Sequence, residues 1–402
     1  MSGPLAGVRV LDLTSVVMGP YATMMLGDLG ADIIKIETPE GDTTRLAGPA
    51  KHPGMGAVFL TLGRNKRSLV LDLKQPAAMD ALRRLCRDAD VLVHSMRPDA
   101  ARRLGIDYAA LHPLNPRLIH CAAYGFREGG PYSGRPAYDD MIQGASGVAA
   151  AMSALTGEPA YAPMIFADKT VGVFLSMAVS SALYARERSG VGQEVHVPMF
   201  ETMVAFNLVE HLYGATFEPP MSPPGYARVM SRERKPFRTQ DGYLCALPYT
   251  DRQFEKFFAL AGRPELARDP RFKDIPARLA NVDALYATVG ELMARKTSAE
   301  WQVLMDAAAI PCMPVATLAG LMDDPQLAAT GFFQHKQHPT EGAIRHYGIP
   351  LEFVDTPGSL RRPAPRLGEH SVELLREAGL DEAAIAAMLA SRATVDPSRG
   401  GT

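Results

Sequence analysis

The chain is short of the features that mark several large classes of protein. Its 402 residues include four cysteines, Cys86, Cys121, Cys245 and Cys312, which lie far apart and form no Cys-x-x-Cys pair. Such spacing supplies neither a disulfide framework nor a thiolate metal site, and it fits a reducing compartment. Neither charge sign dominates: 42 Lys and Arg against 44 Asp and Glu leave a net charge of −2, with a pI ≈ 6.6. Nucleic-acid binders usually carry a basic excess, so no nucleic-acid partner is expected. No run of about 18 uncharged apolar residues occurs, so neither a transmembrane helix nor a membrane partner is expected. The opening segment MSGPLAGVRVLDL has no basic region followed by a long apolar run. A secretory signal is therefore not expected, and a cytoplasmic location is. The histidines show neither His-Glu-x-x-His nor paired Cys/His spacing, so no metal is expected. A Gly-x-x-x-x-Gly-Lys phosphate loop is absent, and GASG at 144–147 lacks the Gly-x-Ser-x-Gly spacing of a nucleophile elbow.

What remains is ordinary globular material. Apolar residues make up 47% and charged residues 21%, which excludes disorder as the main state. A chain of this length buries a large core without staples, as two or three domains or one large domain with a lobe. Residues 8–13 read as a buried strand, Gly19-Pro20 opens a helix that closes near Gly30, and residues 32–37 read as a second strand. Strand, helix, strand is a βαβ unit and predicts a parallel sheet. The pattern continues with strands at 68–73, 91–94 and 118–122 and helices at 76–87 and 99–104, a Rossmann-type α/β half. The first turn, TSVVMGP, has one glycine and so no dinucleotide fingerprint; Glu37 then reads as a surface-turn carboxylate. After Pro163 a long apolar helix spans about 169–188 and ends at Gly190, followed by a strand at 191–199 and a helix at 200–215. Residues 216–236, rich in Pro and Arg, read as a linker. From Phe237 the composition changes to a strand pair, FRTQDGYLCALP, and helices at 251–262, 282–295 and 298–308. Two more helices are expected at 370–378 and 381–391.

The segment PLAGVRVLDLTSVVMGPYATMMLGDLGADIIKIETPEGDTTR resembles the family III (CaiB/BaiF) CoA-transferases, the group of formyl-CoA transferase and succinyl-CoA:glutarate CoA-transferase. RNKRSLVLDLK, ARRLGIDYAALHPLNPRLIHCAAYGF, GPYSGRPAYD, ADKTVGVF, SGVGQEVHVPMFE, TQDGYLCALP, IPCMPV and PAPRLGEH follow in the expected order. Each string alone is weak; the ordered set is specific. The resemblance implies an α/β fold with a Rossmann-like large domain and a small α+β domain, two copies being interlinked as rings in a homodimer. It assigns residues 1–215 to the large domain, 216–236 to a linker, 237–320 to the small domain and 321–402 to a return segment completing the large domain. The substrates it implies are an acyl-CoA and a carboxylic acid, with coenzyme A as substrate and no cofactor permanently bound.

By resemblance Asp168 is the nucleophile, passing through an aspartyl anhydride and an aspartyl-CoA thioester, and Asp139 and Tyr138 belong to the same site. Local sequence alone reads Asp168 as an N-cap kept ionised by the helix dipole, and Tyr138-Asp139 as a turn tyrosine and a cap. The related α-methylacyl-CoA racemases carry a histidine where Tyr138 stands. A tyrosine, with a free pKa of about 10, is a poor base for that chemistry. Val16, Met18, Leu71, Lys74, Ser95, Met96, Arg97 and Arg103 align with segments around CoA. Formyl-CoA transferase has an arginine after the acid ending the second strand; here that position is Thr38, and Arg45 is the replacement charge. Its glutamine near the substrate is Val17 here, and arginines stand where its glycine-rich loop would be. Arg64, Arg228, Arg232 and Arg234 suit a clamp for a second carboxylate on the acceptor. The expected donor is succinyl-CoA and the expected acceptor a short dicarboxylic acid. A racemase of the same superfamily and a non-catalytic CoA-binding dimer stay open as alternatives.

Overall fold

The computed structural model describes residues 3–398. Strands β1 (Arg9–Leu13), β2 (Asp32–Glu37), β3 (Lys66–Val70), β4 (Val91–His94), β5 (Ile119–Tyr124) and β6 (Glu194–Pro198) form one sheet in the order β3-β2-β1-β4-β5-β6. Every neighbouring pair is parallel. Covered on both faces, such strands read as near-continuous apolar runs, as Val10-Leu11, Ile33-Ile34 and Val91-Leu92-Val93 do. Strand order reverses between β1 and β4. In sheets of this kind the crevice at the strands' carboxyl ends, where the order reverses, is where ligands bind.

Strand β3 begins two residues before the expected position and ends at Val70. Its charged residues are accommodated because each finds a carboxylate: Lys66 Nζ lies 3.0 Å from Asp12, and Arg67 pairs with Asp32 and Glu377, each at 2.6 Å. The return segment covers this edge strand. His370 N–H donates to Ser68 O, Val70 N–H donates to Ser371 Oγ, and Thr394 Oγ1 donates to Val70 O. An edge closed this way offers little to another chain.

The chain separates into two compact units. Of the described residues, unit 1 holds 3–146, 163–206 and 328–398; unit 2 holds 147–162 and 207–327. The segment read as a linker, 216–236, lies within unit 2, and residues 147–162 join it. In unit 2, β7 (Phe237–Arg238), β8 (Tyr243–Ala246) and β9 (Cys312–Pro314) make an antiparallel sheet. Helices Asp251–Leu260, Val282–Met293 and Ser298–Ala308 pack on it around Phe257, Phe258, Val289 and Trp301. Capping boxes at Thr250 and Thr297 start two of these helices. In unit 1 the return segment adds an antiparallel pair, β10 (Phe333–His338) and β11 (Gly342–Tyr347), which the polar string FQHKQH gave no pattern to find.

Within unit 1 two helices lie against each other: Met18–Asp28, which follows β1, and Ala167–Ser189. Gly172 permits the approach, since a Cβ there would sit 2.8 Å from the carbonyl oxygen of Met18. One turn earlier on the same helix face is Asp168.

Candidate active site

A cleft of about 380 Å³ opens at the carboxyl ends of β1 to β4. Its walls come from the turns after those strands: Thr14 and Ser15, Glu37 and Thr38, Leu71 to Lys74, and Ser95 and Met96. Four residues read from the sequence as CoA contacts, Leu71, Lys74, Ser95 and Met96, thus meet in one place. Val16 and Met18 follow Ser15 on the turn after β1 but are not among the residues that line it. That turn is pinned: Ser15 N–H donates to Ser95 Oγ at 3.3 Å and Val16 N–H to Asp42 Oδ1 at 3.3 Å. Val16 has φ +67°, a conformation that costs a β-branched residue on the order of 1–3 kcal/mol and gathers at ligand sites. The following helix, Met18–Asp28, has no side-chain cap, so its first-turn N–H groups are left to a ligand or water. Gly19 is required there, because a Cβ would fall 2.2 Å from Thr14. Arg97 and Arg103 are exposed on the helix Pro98–Leu104 and its cap, outside the cleft walls.

Arg45 does not supply the charge missing at Thr38. It is 3% exposed, grips Glu37 with two hydrogen bonds of 2.7 Å, donates to Pro365 O and stacks on Phe59. Glu37 accordingly is no surface carboxylate but the buried anchor of that arginine; the guanidinium beside it holds its carboxyl below the usual range against the opposing effect of burial.

Beneath the cleft lies a charge network that the sequence reading missed. Lys35, on β2, reaches Asp42 at 2.8 Å and donates to Thr14 O at 3.0 Å. Lys66, on β3, donates to Asp12, Pro20 O and Thr23 Oγ1. Asp12 also accepts from Thr14 and Thr23. Burial alone would raise the Asp12 carboxyl, but Lys66 and Lys35 bring it well below the usual carboxylate range. These ties fix the turns after β1 and β2 on which the cleft is built. The available signal was an Asp and two Lys inside strands that are otherwise apolar.

Asp168 is 7% exposed and is the second residue of its helix, not the cap; Phe166 holds the cap position with no side-chain bond. The capping work is done from elsewhere in the sequence. Asp168 N–H donates to Asp139 Oδ1 at 2.9 Å, while Gln143 Nε2 donates to Asp139 Oδ2 at 2.6 Å. The Asp168 carboxylate accepts no hydrogen bond among the described residues. Burial, with the Asp139 charge added, pushes it up to about 7, which overturns the expectation that the helix end keeps it strongly ionised. Tyr138 caps the short helix Asp139–Ala145 by position, and its side chain is 60% exposed.

The four arginines read as a carboxylate clamp are divided between the units, Arg64 in unit 1 and the other three in unit 2. Arg64, 1% exposed in unit 1, is held by Asp28 at 2.6 Å and by Tyr347 O at 2.9 Å, and it faces the Tyr347 ring. It is a structural residue. In unit 2, Arg232 donates to Ala154 O, Arg228 donates to Tyr286 Oη, and Arg234 is exposed. Among the described residues no group of His, Cys, Asp and Glu has the arrangement of a metal site, and no helix is long and apolar enough to cross a membrane.

A sequence model of the family described as CoA-transferase family III matches residues 5–371. An acetyl-CoA:oxalate CoA-transferase of Acetobacter aceti is 35% identical over 393 residues, covering 95% of this chain and 97% of its own. A succinate–glutarate CoA-transferase of Agrobacterium fabrum is 32% identical over 382 residues, covering 93% and 95%. Among solved structures, a CAIB/BAIF family protein from Brucella suis superposes with a TM-score of 0.78 at 31% identity, over 94% of this chain and all of that one.

Proposed function

Because the chain belongs to CoA-transferase family III, we propose that it moves CoA from succinyl-CoA to a short dicarboxylic acid, with Asp168 as the nucleophile. The observation that carries this reading is the buried, unbonded carboxyl of Asp168, pushed up to about 7, in the same unit as the cleft at the strand ends. A carboxylate stripped of hydrogen bonds and water is a stronger nucleophile than a solvated one. Near neutral pH a large fraction of it is ionised and ready.

The steps conserve atoms and need no redox partner. An Asp168 oxygen attacks the acyl-CoA carbonyl; the C–S bond breaks and CoA leaves as the thiolate, giving an aspartyl–acyl anhydride. The thiolate then attacks the Asp168 carbonyl, and the donor acid departs as its carboxylate. The acceptor carboxylate attacks the aspartyl-CoA thioester and releases the thiolate, which takes the acceptor acyl group and returns free Asp168. One thioester replaces another, so no permanently bound cofactor is required. Asp139 orients Asp168 through its backbone N–H and sets its charge, a positioning role. Leu71, Lys74, Ser95 and Met96, with the Val16–Met18 turn, hold CoA, and Arg97 and Arg103 attract its phosphates. The names of the two relatives refer to succinate, glutarate and oxalate, which supports a dicarboxylate. Arg228, Arg232 and Arg234 are the arginines left to hold its far end.

The working form is a homodimer, in the interlinked arrangement implied by the family resemblance. Unit 1 supports a second copy by the apolar side chains it leaves exposed around the long helix: Met164, Ile165, Val173, Met177, Tyr184 and Phe206. A cytoplasmic setting suits the four free cysteines. Tyr138 disfavours racemase chemistry, since it replaces the base that α-proton exchange requires. Incubating the protein with succinyl-CoA and a panel of carboxylic acids, and weighing the products, tests the reading. New thioesters of dicarboxylates with release of succinate are expected; α-deuterium exchange into a 2-methylacyl-CoA without transfer would replace it.

A further inference from the structure

Unit 2 contains a small pocket of about 150 Å³ whose walls include the rings of Tyr226, Tyr249, Phe254 and Tyr286. A wider cleft, of about 430 Å³, shares Arg228, Leu247 and Tyr286 with it, so Arg228 stands at the junction of the two. The Arg228 guanidinium is half-buried and held at one corner, with Nε donating to Tyr286 Oη at 3.1 Å. Its two terminal nitrogens have no hydrogen bond or ion pair among the described residues. Both pocket arginines lie over a ring, Arg228 over Tyr249 at 5.9 Å and Arg278 over Phe254 at 4.5 Å, but Arg278 also pairs with Asp251 and donates to Phe272 O. No carboxylate lines either cavity among the described residues, while Arg234 and Lys235 line the wider one.

We propose that this pocket is a binding site for a carboxylic acid with an aromatic or branched apolar body, its carboxylate paired with Arg228. A guanidinium fixed at Nε presents its free side as two parallel donors, which is the geometry a carboxylate accepts. An anion without a body would leave the ring-walled pocket unfilled. A neutral apolar molecule would fill the pocket and leave a desolvated guanidinium without a counter-charge. Only a molecule with both parts satisfies both cavities, and concave apolar pockets with one or two placed polar groups are the common form of small-molecule sites. The proposal shares with the transfer reading only the use of Arg228 as an anion partner.

Calorimetric titration of the full chain with phenylacetate tests it, with phenylacetamide as the neutral isostere. One saturable site per chain is expected, with phenylacetamide binding about tenfold more weakly for want of the charge-assisted pair. Arg228→Gln is expected to weaken phenylacetate about tenfold and to leave phenylacetamide within about twofold. Leu247→Trp, which fills the junction without touching a charge, is expected to weaken both ligands; it keeps the test available if the arginine variant fails to fold. Asp168→Asn is expected to bind phenylacetate as wild type does. Binding that is indifferent to both unit 2 variants, or that is lost in Asp168→Asn, would overturn the proposal. So would the absence of saturable binding. Because the readout is binding without turnover, either outcome is separable from success or failure of CoA transfer.

Discussion

Two carboxylates meet at the first turn of the helix Ala167–Ser189, and their surroundings give them different work. Asp139 is engaged by Gln143 and by the Asp168 backbone, whereas among the described residues the Asp168 carboxylate has no hydrogen bond, and no cation contributes to its shift. A group with its carboxyl raised to about 7 in the folded chain and near 3.8 in the unfolded one binds protons more tightly when folded. Its effect on stability is therefore most favourable below the unfolded value. It is lost as pH rises from about 4 to about 7, and the full penalty stands above that. Asp168→Asn removes the penalty: its melting temperature should exceed that of wild type at pH 8 and approach it at pH 4. The rise from 3.8 to about 7 sets an upper bound of about 4 kcal/mol on that penalty. The same variant should lose transfer activity by several orders of magnitude, since an amide forms no anhydride. A stable variant with abolished transfer separates chemistry from folding. Asp139→Asn keeps an oxygen for the Asp168 N–H but removes the neighbouring charge. The midpoint of the rising pH–rate limb should then move to lower pH, measured as kcat against pH; an unchanged midpoint would leave burial as the only cause of the shift.

At the scale of elements, the turns that form the cleft rest on charges placed inside strands. Lys66 and Asp12 are fully buried, and they join β3, β1 and the first helix through Thr23 and Pro20. Removing one member leaves the other without its counter-charge, which costs about 3–5 kcal/mol. Lys66→Met should lower the urea midpoint strongly, and adding Asp12→Asn should recover part of the loss; two additive penalties would mean that the pair is not coupled. This network also marks the limit of what was legible from sequence. Apolar runs reveal β1, β2, β4 and β5, because burial on both faces leaves no other pattern. Lys66 and Arg67 concealed the start of β3, since a strand's tolerance for charge depends on partners such as Glu377, more than 300 residues away. Arg45 and Arg64 read as charges available to a ligand because their partners Glu37 and Asp28, only 8 and 36 residues away, lie on other elements that the fold brings beside them. Asp168 was legible through its segment. Its cap was not, because Asp139 comes from another helix.

For the whole molecule, the apolar side chains exposed around the long helix of unit 1 offer a face that a second copy would cover. Light scattering should give about twice the chain mass of 43.4 kDa. A monomer that persists at high concentration would require another explanation of that face. Unit 1 holds both the cleft at the switch point of the parallel sheet and Asp168; the proposed transfer turns on that one aspartate carrying first an acyl group and then CoA. The direct measurement is trapping. Wild-type protein is mixed with succinyl-CoA, quenched with hydroxylamine, digested and analysed by mass spectrometry. A hydroxamate on Asp168 is expected, dependent on succinyl-CoA and absent from Asp168→Asn. A hydroxamate on a different residue, or continued transfer by a folded Asp168→Asn chain with reversion to aspartate excluded by mass, would contradict it.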